Sequence, residues 1–344
     1  MALAHSASVG ALILQAFAFL RKNLNWRALE QCGVDRIGAN DTTYIVEVDG
    51  QVKIVGVASC KSRWLCPLHV LRGADVRRRL LLELLSTTMA SGAAYFGTAT
   101  MPIPATMRLS TSWSLLNKVW ARVGSDSTFR LVRTKLGVSG LVRITETVVE
   151  QGKWNPHSHF LYLCKQPLTQ EQETELLVAW HKAWSRACLE ILRRSAVLTG
   201  EELVRVSDSE GAARVAWYMT KQNFRHAVLR ARKGGEQASR DPWQILLDAM
   251  ASDAPAADIA LLQEYRHASA GKWTMPKTPE LRKKLDEPSG GVFDATWTVA
   301  PDIEEEEDVS GTFIDKLRSR AGGERRDGSE QHSGSLQHPI DRAA

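Results

Sequence analysis

The sequence predicts an α+β fold: an antiparallel sheet with helices packed on it, an N-terminal cysteine-bearing element and a C-terminal helical segment. Three observations carry that reading. Residues 43–57, "TYIVEVDGQVKIVGV", form two alternating runs joined at Asp49-Gly50, a strong hairpin turn pair. Residues 140–163, "GLVRITETVVEQGKWNPHSHFLYL", repeat the pattern around a turn at Gln151-Gly152. Residues 170–193 instead place Leu176, Trp180, Ala183, Trp184, Ala187 and Leu192 on one stripe, the period of an amphipathic helix.

The remaining elements follow from the same rules. "VGALILQAFAFL" at the N-terminus is apolar for about three turns. Arg21 and Lys22 come after it and no small-residue cleavage site follows, so it reads as a helix packed on the body and not as a signal peptide. It is also too short to span a membrane. Residues 74–90 read as an Arg- and Leu-rich helix, and "AAYFGTATMP" (93–102) as a strand closed by Pro102. A helix over 112–122 carries Trp113, Leu116, Val119 and Trp120 on one face. "ELVRVS" (202–207) is a short strand, after which a helix opens at Ser207 with Glu210 at capping-box spacing. Residues 241–270 are helical, and beyond 287 the Pro-, Gly-, Ser- and acid-rich chain predicts disorder. The resulting organisation is an N-terminal helix (1–25), a cysteine-bearing element (26–73), a sheet-and-helix core (74–235), a helical segment (236–286) and a tail (287–344).

Net charge is +5 over 344 residues, but the tail, which contains Glu304–Glu307, is acidic, so the body is strongly basic. A basic body favours a polyanionic partner, nucleic acid first. Five cysteines, with Cys32, Cys60 and Cys66 close together, do not make a secreted disulfide framework. They suit a reducing, cytoplasmic compartment and metal binding.

His157 and His159 are two apart on a strand and therefore share a face. A two-residue turn at 151–152 sets Glu146 opposite His157, so Glu146, His157 and His159 converge. Two imidazoles and a carboxylate suit a divalent cation with open positions. Chance pairing of two strand histidines is the alternative. Downstream, Tyr218 and Lys221 are three apart on the predicted helix and share its face. A phenol, with a pKa of about 10, needs a cation or base to act as a nucleophile at neutral pH. A half-buried tyrosine beside a solvated lysine is the bland alternative.

A preceding glutamate, a His-x-His strand and a later helical Tyr-x-x-Lys occur in the order used by HUH endonucleases. From about Cys32 to Lys284 the chain resembles the rolling-circle replication initiators of small bacterial plasmids. "YFGTATMP" (95–102), "GKWNPHSHFLYL" (152–163), "WYMTKQ" (217–222) and "LLQEYRHASAGKWTMPKTPELR" (261–282) carry the resemblance. It implies an antiparallel HUH core with helices on one side of the sheet. It also implies a strand-specific nick at a plasmid origin: Tyr218 forms a 5′-phosphotyrosine while Glu146, His157 and His159 hold Mg²⁺ or Mn²⁺ and Lys221 adds charge. Origin DNA, single-stranded or cruciform, is the implied partner, with a host helicase and polymerase, and no membrane. The chain departs from the family at Ser158, usually a bulky apolar position, at Asn155, often histidine, and at Arg214, where some relatives carry a glutamate. Glu210 reads as a cap paired with Arg214.

A second cluster stands in "SCKSRWLCPLH": Cys60, Cys66 and His69, with Cys32 as a fourth donor. Three thiolates and an imidazole form a closed zinc set; reduced buried cysteines beside a loop histidine are the alternative. The resemblance includes such an element, usually ending in Cys where this chain has His69. Cys164 and Cys188 read as core. Arg72, Arg77, Arg78 and Arg79 either contact the DNA backbone or form a solvated helix face. Trp64 and Trp154, in predicted turns, are candidates for stacking on bases. Two further functions remain open at this stage: a transposase or mobilisation relaxase with the same chemistry, and a non-catalytic zinc-dependent DNA-binding regulator.

Overall fold

The structure is a computed structural model that describes residues 9–33, 44–48, 51–55, 58–60, 62, 64–104, 106–196, 203–233, 239–252, 254–272 and 297–298. The Asp49-Gly50 turn, the stretch 273–282 and nearly all of the acidic tail lie outside them. Within the tail, Trp297–Thr298 pairs with Gln51–Val55, so these two residues form a strand where the composition predicts none.

Helices α1 (Val9–Leu24) and α2 (Arg27–Gln31) precede the hairpin β1 (Tyr44–Val48) and β2 (Gln51–Val55). Then come α3 (Pro67–Met89), β3 (Ala93–Thr100), α4 (Leu109–Ser125), α5 (Ser127–Lys135), β4 (Val138–Glu150) and β5 (Lys153–Cys164). The chain continues as α6 (Gln170–Leu192), β6 (Leu203–Val206), α7 (Ser209–Met219), α8 (Phe224–Lys233), β7 (Ser239–Arg240), α9 (Pro242–Ala251) and α10 (Ala256–Ser269), with Trp297–Thr298 as β8. The architecture is α+β. An antiparallel sheet of five strands runs in the order β6-β3-β5-β4-β7, which puts the histidine strand β5 at the centre.

Helices cover both faces of this sheet, not one. Strand side chains alternate in direction, so Phe160, Tyr162 and Cys164 of β5 face one way, and Leu161 and Leu163 the other. On the first face they pack with Leu116, Val119 and Trp120 of α4 and Trp180 and Trp184 of α6. On the second face Leu161 and Leu163 meet Leu81, Leu84 and Leu85 of α3 and Ala212, Val215 and Met219 of α7. Both faces are therefore apolar, and the sheet needs cover on each. Gly97 of β3 sits opposite Phe160, where a Cβ would come 2.5 Å from the ring, so glycine leaves room for that ring on the first face.

A third cluster lies beyond the end of the sheet. It joins α1, the Cys32 and Trp64–Val70 segments, α8, α9 and α10 with Val149 and Trp154 at the tip of the β4–β5 hairpin. Trp64 and Trp154 are each only 6% exposed, so neither is available to stack on a base. Their indoles donate to the Lys272 carbonyl (2.9 Å) and to the Glu264 carboxylate (2.8 Å). Trp154 lies in β5 rather than in a turn.

Three helix boundaries differ from the sequence pattern. α3 starts at Pro67, with proline in the first turn where its missing N–H costs nothing, and it runs unbroken past residue 74. The α7 cap is Asp208, whose carboxylate accepts from Gly211 N at 2.6 Å, because the third helical position is glycine and Ser207 stands one residue too early. Residues 241–270 form two helices, and β7 just before them joins the five-stranded sheet. Among the described residues no helix is long and apolar enough to cross a membrane.

Candidate metal centres and tyrosine site

The hairpin between β4 and β5 turns at Gln151 and Gly152, both with positive φ (49° and 74°). Such a turn matches the twist of the strands and fixes their register. Glu146 consequently pairs with His157, and Ile144 with His159. From the other side Thr98 of β3 pairs with His159 and Thr100 with His157. The Glu146, His157 and His159 ligand atoms all lie within 4.8 Å of one another, a set that could hold a metal ion.

The hydrogen bonds orient each donor. His159 Nε2 is 2.5 Å from Glu146 Oε2, while its Nδ1 is 3.0 Å from the Thr98 hydroxyl. Thr98 thus fixes the ring plane so that Nε2 points at the carboxylate, as a second partner does for a ligating histidine. His157 Nδ1 lies 3.3 Å from the Asn155 carbonyl and its Nε2 3.3 Å from Glu146 Oε2, so both ring nitrogens face acceptors. Either a proton or a metal cation between Nε2 and the carboxylate satisfies that pair.

Burial alone would raise the Glu146 carboxyl, but the Lys221 ammonium and the two histidine contacts outweigh it and hold it well below the usual range. Burial pushes His159 down to about 4, against the raising effect of Glu146. Lys221 Nζ is 3.3 Å from Glu146 Oε2, and although burial opposes its charge, Glu146 and Tyr218 raise its pKa above the ordinary value. The site therefore holds a carboxylate, neutral His159 and a lysine cation.

Tyr218 comes from the last turn of α7, half-buried over the same sheet face. Its ring lies 4.9 Å from that of His159 and stands edge-on to Phe96. Lys221 is not on the helix. α7 ends at Met219, with Thr220 closing it by accepting no further turn and donating its hydroxyl back to Ala216 O (2.8 Å). The chain keeps a helical turn one residue longer, Lys221 N meeting Tyr218 O at 3.4 Å. That turn brings Nζ to 3.5 Å from the centre of the Tyr218 ring, so the shared face survives the end of the helix.

Ser158 points to the opposite face, where its hydroxyl accepts from the Trp120 indole at 3.1 Å. The polar side chain is thereby satisfied in the core, on the face opposite Glu146, His157 and His159. Glu210 pairs with Arg214 on the exposed side of α7.

The second cluster also assembles. Cys32, Cys60, Cys66 and His69 place their ligand atoms within 4.8 Å of one another and could hold a metal ion. His69 Nδ1 is 3.1, 3.5 and 3.8 Å from the sulfurs of Cys66, Cys60 and Cys32, and Nε2 is 2.7 Å from the Ser59 hydroxyl. Ser59 thus leaves the Nδ1 lone pair for the centre of the cluster. Contacts from the Cys60 and Cys66 thiols hold the Cys32 thiol far below its ordinary range, while the Cys32 contact pushes Cys60 up to about 12. Without a cation only one thiolate is favoured among the three. Cys164 and Cys188 are buried in the first-face core.

Of the four candidate DNA-contacting arginines, Arg79 is exposed, and Arg77 and Arg78 are half-buried on α3. The Arg72 side chain lies outside the description. Thr98 and Ser59 are the two orienting residues that residue spacing alone does not reveal. Thr98 had a legible signal, since it stands in the strand that pairs with the histidines. In comparisons with known proteins, no family model, no curated protein and no solved structure matches this chain.

Proposed function

We propose that the protein nicks and rejoins one DNA strand through Tyr218, as an initiator of rolling-circle plasmid replication. The observation that carries this reading is the convergence of Tyr218 and Lys221 on the Glu146–His157–His159 set from a separate element. A structural tyrosine would not need a buried lysine bridging it to a carboxylate. A divalent cation, Mg²⁺ or Mn²⁺, at Glu146, His157 and His159 would neutralise charge developing on the scissile phosphate.

The residues of the chain do the rest. Tyr218 Oη forms the bond to phosphorus as the 3′ oxygen leaves, giving a 5′-phosphotyrosine and a free 3′-hydroxyl. Lys221, held cationic by Glu146, lies over the Tyr218 ring and offers its positive charge to the phosphate. Thr98 and the Asn155 carbonyl keep both imidazoles aimed inward. Attack by a 3′-hydroxyl on the phosphotyrosine reverses the step and rejoins the strand. The Cys32, Cys60, Cys66 and His69 set takes Zn²⁺ in a closed structural site.

The test is incubation with single-stranded origin DNA and Mn²⁺, followed by denaturing electrophoresis. A covalent protein–DNA band is expected from the native sequence and none from Tyr218→Phe, which loses one oxygen and little packing. Lys221→Ala is expected to slow adduct formation without moving it to another residue. An adduct mapped elsewhere, or nicking by Tyr218→Phe, would overturn the proposal.

A further inference from the structure

A cleft opens beside the tyrosine site, between α3, β4 and the segment that follows Tyr218. Its walls include Trp64, Arg77, Thr145, Thr220, Gln222 and Tyr265. Thr145 immediately precedes Glu146, and Thr220 and Gln222 flank Lys221, so a strand lying on Tyr218 passes its mouth. None of the lining residues is acidic.

Two features give this cleft a chemistry. The first is Tyr265, which is 1% exposed and wedged among Trp64, Trp113 and Trp154 with ring centres 5.9–6.2 Å apart. Tyr265 itself lines the cleft, and a neutral phenol there can donate its hydroxyl hydrogen. The second is Arg77, whose guanidinium lies against Gly73, one turn earlier on α3. A Cβ at position 73 would come 3.0 Å from Arg77 Nη1, so glycine leaves the space the guanidinium occupies. Burial pushes the Tyr265 phenol well up, the Asp241 and Glu146 carboxylates add to that rise, and the Arg77 charge acts against it.

We infer that this cleft is a subsite for a DNA backbone phosphate flanking the scissile one, with Arg77 as its cation and the Tyr265 hydroxyl as its second donor. The inference rests on the nicking function proposed above for the substrate's identity. A guanidinium and a neutral hydroxyl form a donor set for an anionic oxygen, and no carboxylate lines the cleft itself. Trp64 and Tyr265 come from the zinc-side core, so the subsite ties that core to the path of the strand.

The experiment measures binding of labelled single-stranded DNA in a Tyr218→Phe background, using strands with one neutral methylphosphonate at successive positions around the cleavage point. Arg77→Met is expected to weaken binding about tenfold and to lower the log–log salt slope by about 0.7, one contact's share on a single strand. One methylphosphonate position should weaken binding to the Tyr218→Phe protein by a similar factor and have no further effect once Arg77 is replaced. Tyr265→Phe, which removes a single oxygen, should weaken binding about threefold at that same position. Identical methylphosphonate profiles with and without Arg77 would overturn the subsite. The adduct assay on the same strand separates the two claims. Adduct without an Arg77-dependent position removes the subsite and keeps the nuclease, whereas an Arg77-dependent position without adduct keeps the subsite and removes the nuclease.

Discussion

His159 is held between a hydroxyl and a carboxylate with only 2% of its surface exposed, and its pKa falls to about 4. In the unfolded chain the imidazole titrates near 6.5, so between these values the unfolded state binds the extra proton. Stability from this group is therefore complete above about pH 6.5 and is lost as pH falls towards 4. Glu146, whose carboxyl is depressed, acts in the same direction at lower pH: its contribution is present above the unfolded carboxyl value and disappears through the folded one. For chelator-treated protein, denaturant unfolding should show a loss of at most roughly 3 kcal/mol across the histidine window. His159→Gln, which keeps a donor for Glu146 and cannot charge, should flatten that dependence. A profile unchanged by the substitution would show that another group governs acid sensitivity. The same residue sets the metal test. His157→Ala and His159→Ala should each abolish adduct formation under limiting Mn²⁺ while leaving the far-ultraviolet circular dichroism intact.

At the scale of elements, the β4–β5 hairpin was legible because three signals agree on it. The period-two alternation, the Gln-Gly turn and the identity of the inward residues all give one register, and a one-residue slip would expose Glu146 and both histidines to the wrong face. The end of α7 was not legible. Nothing in "WYMTKQ" stops a helix by propensity; the stop comes from Thr220 and Asn223 bonding to nearby backbone carbonyls. Trp64 and Trp154 were misread as surface residues for a related reason. Their positions near turns suggested exposure, but Trp64 packs with Trp113 and Tyr265, and Trp154 with Tyr265, partners 49 to 201 positions away that no local pattern encodes. The turn itself carries a testable cost. Gln151 adopts a left-handed conformation (φ 49°) that a side chain without a short polar group tolerates poorly. Gln151→Asn gives the Asn-Gly pair preferred in such turns and should raise stability by about 0.5–1 kcal/mol, read as a higher thermal midpoint. An unchanged or lower midpoint would mean that Gln151 makes a compensating contact.

At the scale of the molecule, the hairpin passes between two kinds of core. Its central residues lie in the sheet cores, but Val149 and Trp154 at its tip belong to the cluster that also contains Cys32, Trp64, Leu65 and Cys66. α3 makes a second link, because its first turn carries His69 and its later turns cover the sheet face that carries Glu146, His157 and His159. The cysteine element therefore braces the strand that holds the histidines. Three thiols and an imidazole within 4.8 Å are poorly stable as neutral groups, and a bound cation is what favours the deprotonated set. Metal analysis should find about one tightly held zinc per chain, and Cys66→Ser should lower the thermal midpoint by about 5 °C or more. The coupling makes a more specific prediction than loss of stability alone. Stripping zinc should speed amide hydrogen exchange at the hairpin tip, residues 148–155, while exchange in the β3–β6 pair on the far side of the sheet stays slow. Nicking should fall together with tip protection as zinc is removed, even when Mn²⁺ is in excess. A zinc-free protein that melts unchanged would remove the structural metal. Zinc loss that leaves the tip protected would show instead that the aromatic packing around Tyr265 holds the hairpin without help from the cysteine cluster.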